Sequence, residues 1–173
     1  TLNMHEGALG GTTDNPFWGC CMNPLKHGYT PGGSSGGSAA AITSGIVPVT
    51  LGTDTMGSVR IPAAYCGLWG LKPTKGRVPA TGMTHLSWTL DTIGPLARDP
   101  GTLGAILSVI EGPDAADLLN TPLNADQPQP TTLVGLRLGV PDAANLAVCE
   151  DIVLDAFERF KLALTDAGVI LTP

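Results

Sequence analysis

Apolar and polar residues keep no single rhythm along this chain, and each change of rhythm marks an element. Residues 1–33 mix Gly, Pro, Asn and Thr without a period, which predicts loop with short helical turns. Ser38–Ser44 is alanine-rich and suits a tightly packed buried helix. Ile46–Thr53 is β-branched and apolar throughout, the pattern of a strand covered on both faces, with Pro48 near its start. Ile61–Tyr65, with Pro62 in its first turn, predicts a short helix, and Leu68–Leu71, stopped by Pro73, a second buried strand. Gly76–Trp88 reads as loop and Leu90–Leu96 as a short strand. Asp99 before Pro100 is an N-cap followed by proline at the first helical position, opening a helix to about Ile110.

The last third changes character. Gly112–Thr132 is rich in Pro, Asp, Asn and Gln and predicts an exposed linker. Leu136–Val140 follows as a strand. Glu150–Ala167 predicts an amphipathic helix with Val153, Phe157, Phe160 and Leu164 on its apolar face and Asp155/Arg159 paired one turn apart. Gly168 serves as its C′ residue before the strand-like Val169–Leu171. Strands alternating with helices imply an α/β layer architecture, and no internal repeat is visible.

Composition narrows the function. Of 173 residues, 43% are hydrophobic and 14% charged, which fits much buried sheet or packing against further polypeptide. The net charge of −6 argues against nucleic-acid binding, which favours a basic face. No apolar run reaches the roughly 20 residues of a membrane span, so no membrane partner is expected. Four cysteines, two of them adjacent, do not form a disulfide framework, and a reducing, cytoplasmic setting is the expectation. Beginning at Thr1 in sequence that reads as mid-domain, and stopping at Pro173 just after a strand, the chain is expected to be a piece of a longer protein.

Two serines carry the chemistry. Gly32–Arg60 sets Ser34 and Ser58 in separate glycine-bounded turns joined by an apolar segment. Gly32–Gly37 has three readings. It can be a tight glycine turn feeding a helix. It lacks the spacing and the lysine of a phosphate loop. It formally satisfies GxSxG, but a nucleophile elbow needs a preceding strand and His27–Pro31 is polar and turn-like. Ser58 can be a plain turn or cap serine. It also stands where a strand gives way to a short helix, so amides of Asp54–Ser58 lack sheet partners and can face an anion.

Gly32–Lys72 strongly resembles the amidase signature family: a GGSSGGS turn, then GTDxxGSxR, then P-A-x-x-C-G-x-x-G-L-K-P-T. Asn3–Glu6 resembles that family's TNMxEF segment and Leu90–Leu96 its LDxxGP segment. The resemblance runs from Thr1 to about Asp114 and is expected to continue to the end. It implies a mixed β-sheet core covered by helices, with residues 1–173 as part of a single domain. It implies amide hydrolysis or transfer by a Ser–cis-Ser–Lys triad with no cofactor and no metal. By motif position Ser58 is the nucleophile and Ser34 the bridging serine after a cis Gly33–Ser34 peptide. The backbone N–H groups of Thr55, Met56, Gly57 and Ser58 would hold the oxyanion.

A serine hydroxyl attacks only when a base takes its proton, and a buried lysine with a lowered pKa can do so through Ser34. Two departures stand out. Met56 occupies the usual place of a second glycine, so the backbone there must suit an L-residue. The family's lysine lies farther upstream of the bridging serine than the 33 residues present, and Lys26, Lys72, Lys75 and Lys161 do not match its motif. Lys72 belongs to the GLKPT segment, which is structural in the family. The chain alone is therefore expected to be inactive and to need the remainder of its parent polypeptide.

Supporting residues follow. Arg60 is expected to pair with Asp54, which orients the Ser58 turn, and Ser35 to hydrogen-bond within its own turn. Cys20, Cys21 and His27 lack the spacing of a metal site. Cys66 reads as a small buried residue, and Trp18, Trp69 and Trp88 as packing residues, with Trp88 able to face a substrate. Two rivals remain: a GxSxG esterase using Ser34, a downstream Asp such as Asp54, and His85 as base, and a non-catalytic remnant or binding subunit. The family implies a small-molecule amide substrate, whether an aliphatic or aromatic amide, a urea, a fatty amide or a glutamine for tRNA-linked transamidation.

Overall fold

The structure, a computed structural model, describes residues 2–121 and 132–173, which divide into two compact units at Leu123/Asn124. The first unit is built on a three-stranded antiparallel sheet. Strands β3 (Val49–Asp54), β4 (Trp69–Gly70) and β5 (Thr92–Ala97) take the order β3-β5-β4. Before them comes a tight turn over Glu6–Ala8 and a small hairpin of β1 (Asp14–Asn15) and β2 (Gly19–Cys20). Helices α1 (Gly36–Thr43) and α2 (Arg60–Tyr65) flank β3 in sequence, and α3 (Pro100–Ile110) follows β5.

The core is small and continuous. Ala39 and Ile42 of α1 meet Val59, Ala63, Cys66 and Leu96, with Leu68 packed against them. Close approach is written into the glycines. An added Cβ at Gly33 would stand 2.0 Å from Thr12 O, and one at Gly37 would stand 2.3 Å from Asn3 O. The N-terminal strip therefore lies directly on the serine turn. His5 N donates to Ser34 O (3.1 Å), Gly37 N to Asn3 O (3.0 Å) and Thr13 Oγ1 to Gly32 O (2.8 Å).

Several expected elements shift, each for a physical reason. The first strand starts at Val49, not Ile46, since Ile46 and Val47 lie in the exposed turn after α1. It is an edge strand rather than one covered on both faces, and Leu51 is exposed. Its free edge is closed by α1 instead: Ser38 Oγ donates to Leu51 O (2.9 Å) and Ser35 Oγ to Thr53 O (3.3 Å). The second strand shrinks to Trp69–Gly70, and Trp69 is exposed. Leu71 N donates to Pro95 O (3.1 Å), but proline has no N–H to return the bond, so the ladder stops there. The Asp99 cap forms as expected, accepting from Thr102 N (2.8 Å). Arg98 closes the far end of α1 by donating to the carbonyls of Ile42 and Thr43.

Residues 112–121 fold back on the loop after β4. Asn120 Nδ2 donates to Gly76 O (2.8 Å) and Gly112 O (3.0 Å), and Asp117 accepts from Ala80 N (2.8 Å). The rest of the expected linker, 122–131, lies outside the described residues.

The second unit is a βαβ arrangement. Parallel strands β6 (Arg137–Gly139) and β7 (Ile170–Thr172) are joined through the short helix α4 (Ala143–Leu146) and the long helix α5 (Asp151–Asp166). The partly covered face of α5 carries Leu154, Phe157, Lys161 and Leu164, one residue over from the expected stripe at two of its four positions. Val153 and Phe160 are more than half exposed, because two strands offer too little surface to cover both apolar rows. Among the described residues no helix is long and apolar enough to cross a membrane.

The glycines make a testable contrast. Gly37→Ala should destabilise the protein by at least about 2 kcal/mol, because the new methyl meets backbone that cannot yield. Gly104→Ala, in α3 with nothing within 4 Å, should stabilise it by about 0.5–1 kcal/mol. Urea denaturation of the two variants checks the pair. Equal effects would show that close approach does not explain Gly37.

Candidate active site

The site begins with a carboxylate. Asp54 ends β3 with its side chain fully buried, and among the described residues every hydrogen bond its carboxylate accepts comes from the next six residues. Oδ1 accepts from Gly57 N (2.7 Å) and Arg60 Nη2 (3.1 Å). Oδ2 accepts from Val59 N (3.2 Å), Arg60 N (3.3 Å) and Arg60 Nε (3.0 Å). Burial pushes the Asp54 carboxyl up, but hydrogen bonds from Arg60, Val59 and Gly57 prevail and hold it below the usual carboxylate range. The same carboxylate caps the start of α2, where no side chain of the cap residue Val59 does so.

That grip shapes the turn carrying Ser58. Gly57 takes φ of 140°, a conformation open to glycine and strained for other residues. Met56 keeps a negative φ, so the side chain in place of the usual glycine is accommodated, and it stands exposed. Ser58 is half-buried on a cleft of about 270 Å³ that Gly11, Gly33, Thr55, Met56, Ile61 and Leu86 help to line.

One expected donor drops out. The Gly57 N–H is committed to Asp54, so it does not face the cleft as an oxyanion donor. Among the described residues the N–H groups of Thr55, Met56 and Ser58 have no acceptor.

The two serine turns are tied together, since Ser35 N donates to Ser58 O (3.1 Å). The Gly33–Ser34 peptide is cis. Ser34 is fully buried, and its Oγ has no hydrogen-bond partner. A buried hydroxyl without a partner is rare and costs about 1–3 kcal/mol, so an unfilled role attaches to it. Ser35 bonds across to β3 rather than within its own turn.

No lysine of the first unit fills that role. Lys72 Nζ donates to Asp54 O (2.5 Å), Leu90 O (2.5 Å) and Thr92 Oγ1 (3.3 Å) and stands 3.8 Å from Asp54 Oδ1. Burial lowers its pKa, with the Asp54 charge opposing. It ties β3 to β5 beneath the turn, the structural role the motif implied. Lys75 donates to Asp91 O (2.8 Å), and Lys26 lies 4.0 Å over the Tyr29 ring.

The esterase alternative does not assemble. Both oxygens of Asp54 are held by the turn and Arg60; a different downstream carboxylate, Asp91, stands 3.6 Å from His85 Nδ1, but His85 makes no hydrogen bond to Ser34. Ser34 Oγ has no imidazole partner, and loop rather than strand leads into it. The tryptophans also differ from expectation, since all three are more than half exposed. Trp88 stacks on His85 at 4.0 Å beside a separate cavity of about 550 Å³.

Elsewhere, Cys66 is buried, its Sγ donates to Pro31 O (3.6 Å), and burial pushes its pKa to about 11. Cys20 Sγ donates to Asp14 Oδ1 (2.9 Å). Among the described residues no three His, Cys, Asp or Glu side chains stand together as a metal site.

A buried carboxylate gripping a GSxR turn, beside a cis-peptide serine, carries the resemblance into three dimensions, and the whole sequence, residues 1–173, matches the Amidase family. The chain belongs to the amidase family. It is 47% identical over 140 residues to a glutamyl-tRNA(Gln) amidotransferase subunit from Methanospirillum hungatei, covering 81% of this chain and 32% of that protein. With the corresponding subunit from Chloroflexus aurantiacus it shares 44% over 175 residues, 98% of this chain and 36% of that one. The crystal structure of the Thermotoga maritima subunit superposes with a TM-score of 0.89 at 33% identity, over 98% of this chain and 38% of that one. This amidase-family chain thus spans about a third of the length of the curated relatives it matches.

Sequence reading missed Asp91 as a contributor to the cleft. Its carboxylate accepts from Thr55 Oγ1 (2.5 Å), Leu86 N (2.6 Å) and Ser87 N (2.9 Å). Only its place in the LDxxGP segment marked it.

Asp54→Asn should cost about 3 kcal/mol at neutral pH, the lower end for breaking a buried pair, because half-exposed Arg60 regains water. The folded-state pKa of Asp54 is depressed, so its charge-dependent contribution is complete above pH ~4 and fades as pH falls through the folded value. Urea denaturation of both proteins from pH 7 to pH 2 should therefore show the gap closing as pH falls. A gap independent of pH would mean that the carboxylate charge is not what holds the turn.

Proposed function

We propose that this chain carries the nucleophile, the relay hydroxyl and the oxyanion donors of an amidohydrolase that cleaves a carboxamide C–N bond through an acyl-enzyme on Ser58. The observation that carries the reading is the pairing of a cleft-facing Ser58 with a buried, unpartnered Ser34 hydroxyl in the adjoining turn. The family supports the reaction class.

Ser58 Oγ gives up its proton to Ser34, which passes one on to a lysine amine, and attacks the amide carbonyl carbon. Negative charge develops on the carbonyl oxygen, and the free N–H groups of Thr55, Met56 and Ser58 stabilise it. Loss of one such donor costs about 3–4 kcal/mol in comparable sites. The C–N bond then breaks, the leaving nitrogen takes a proton back through Ser34, and a carboxyl ester remains on Ser58. Water or an amine acceptor attacks that ester and regenerates the serine. The lysine is supplied by polypeptide beyond these 173 residues, a reading supported by the unpartnered Ser34 and by the larger size of the relatives. Their name nominates the side-chain amide of glutamine as the first substrate to try.

Incubation of the gene product that carries this chain with glutamine and with aryl amides, followed by mass spectrometry of the peptide spanning residue 58, tests the assignment. An acyl adduct on Ser58, absent in Ser58→Ala and formed slowly in Ser34→Ala, is expected. An adduct retained in Ser58→Ala and lost in Ser34→Ala would reverse the two roles. Absence of any adduct and of amide cleavage across the panel would favour a binding subunit. The 173-residue chain alone should release no amine, and Ser58-dependent release from it would refute the need for an outside lysine.

A further inference from the structure

Asp91 lies 3% exposed just before β5 and accepts hydrogen bonds from two segments that line the Ser58 cleft. Its Oδ1 takes the Thr55 hydroxyl, on the turn that ends in Ser58. Its Oδ2 takes the Leu86 and Ser87 amides, and Leu86 lines the same cleft. His85 Nδ1 stands 3.6 Å from Oδ2, and Lys75 Nζ donates to the Asp91 carbonyl. No other carboxylate among the described residues bridges these two segments.

We propose that Asp91 is a positioning residue: by holding Thr55 with one carboxylate oxygen and Leu86 with the other, it sets the Met56 amide of the oxyanion site and couples it to the 85–91 loop. This rests on the assignment of Ser58 as nucleophile. Asp54 fixes the turn from within, through Gly57, Val59 and Arg60, but bonds nothing at Thr55 or Met56. Lys72 and Thr92 hold the Asp54 carbonyl and so the peptide before Thr55; among the described residues the next anchor is the Thr55 hydroxyl on Asp91, and the Met56 amide beyond it depends on that contact. An asparagine has one acceptor oxygen. With that oxygen on the Leu86 and Ser87 amides, its Nδ2 faces Thr55, which must then accept where it donated to a carboxylate, so the charged Thr55 bond is lost while the same space is filled.

The test uses the gene product that carries this chain and a fluorophosphonate, whose phosphoryl oxygen occupies the oxyanion position as Ser58 Oγ bonds to phosphorus and fluoride leaves. Saturation kinetics separate the limiting labelling rate from the half-saturating concentration, as kcat is separated from KM. Asp91→Asn and Thr55→Val should each lower the limiting rate about 10- to 100-fold with half-saturation within about threefold, an oxyanion-type loss. Thr55→Ser, which keeps the hydroxyl, should stay within about threefold of the parent. The double variant Asp91→Asn/Thr55→Val should be no slower than its slower single, because both remove the same charged Thr55–Asp91 hydrogen bond.

Losses that multiply in the double variant, a Thr55→Val protein labelled as fast as the parent, or an effect confined to half-saturation would each overturn the proposal. If Asp91→Asn fails to fold, the Thr55→Val and Thr55→Ser pair decides by itself. Ser58→Ala is read alongside: labelling retained there removes the nucleophile assignment itself, a failure distinct from any of these.

Discussion

The Asp54 carboxylate is the constraint on which the rest of the site depends. One buried group receives three backbone amides and a two-pronged guanidinium, all from the six residues that follow it. Burying a carboxylate costs several kcal/mol, and each hydrogen bond to it returns about 1.5–3 kcal/mol, so the net gain in stability is modest. The gain in geometry is not. With Gly57, Val59 and Arg60 bound to one point, the chain between strand and helix has few shapes left, and Ser58 is carried to the cleft by the one it takes. The carbonyl of the same residue is held by Lys72 at 2.5 Å, so strand end and turn are anchored together.

Around that point the fold supplies surfaces rather than chemistry. Helix α1 closes the free edge of β3 with the hydroxyls of Ser35 and Ser38, a job usually done by a further strand. Glycines at 33 and 37 let the N-terminal strip lie against the serine turn, which buries Ser34 and directs its neighbours. The glycine-rich motif is therefore as much a packing requirement as a catalytic signature. Its small residues are set by backbone that passes within about a van der Waals radius of them.

Much of this was legible in the sequence. The Asp99-Pro100 signal placed the start of α3 without error, because capping is a local interaction between neighbours. The Asp54–Arg60 pair was readable for the same reason: both sit in one short turn. What failed was long-range. Nothing local to Leu68–Leu71 reveals that its ladder ends against a proline 24 residues on, at Pro95, and an apolar run gives no sign that β3 lies at a sheet edge. In α5 two apolar rows compete, and only the partner surface decides between Val153 and Leu154. Asp91 was invisible as a cleft residue because its partners, Thr55 and Leu86, come together only in the fold.

Asp54 and Asp91 divide one task by distance in sequence. The near carboxylate works through backbone amides and specifies the turn whatever side chains occupy it, which is why Met56 is tolerated where glycine is usual. The far one works through a hydroxyl, and so makes the identity of Thr55 matter. Burial alone would raise the pKa of both. In each the hydrogen bonds outweigh it and hold the group in its charged form, the form with acceptors for every donor present. Ser34 is the converse case: a buried polar atom with no partner among the described residues, beside a turn whose other polar groups are satisfied or face the cleft. Asn3 Oδ1 and His85 Nδ1 are buried without a partner as well, but of the three only Ser34 lies in the turn bonded to the Ser58 turn, and that placement is what makes it the candidate for the proposed proton relay.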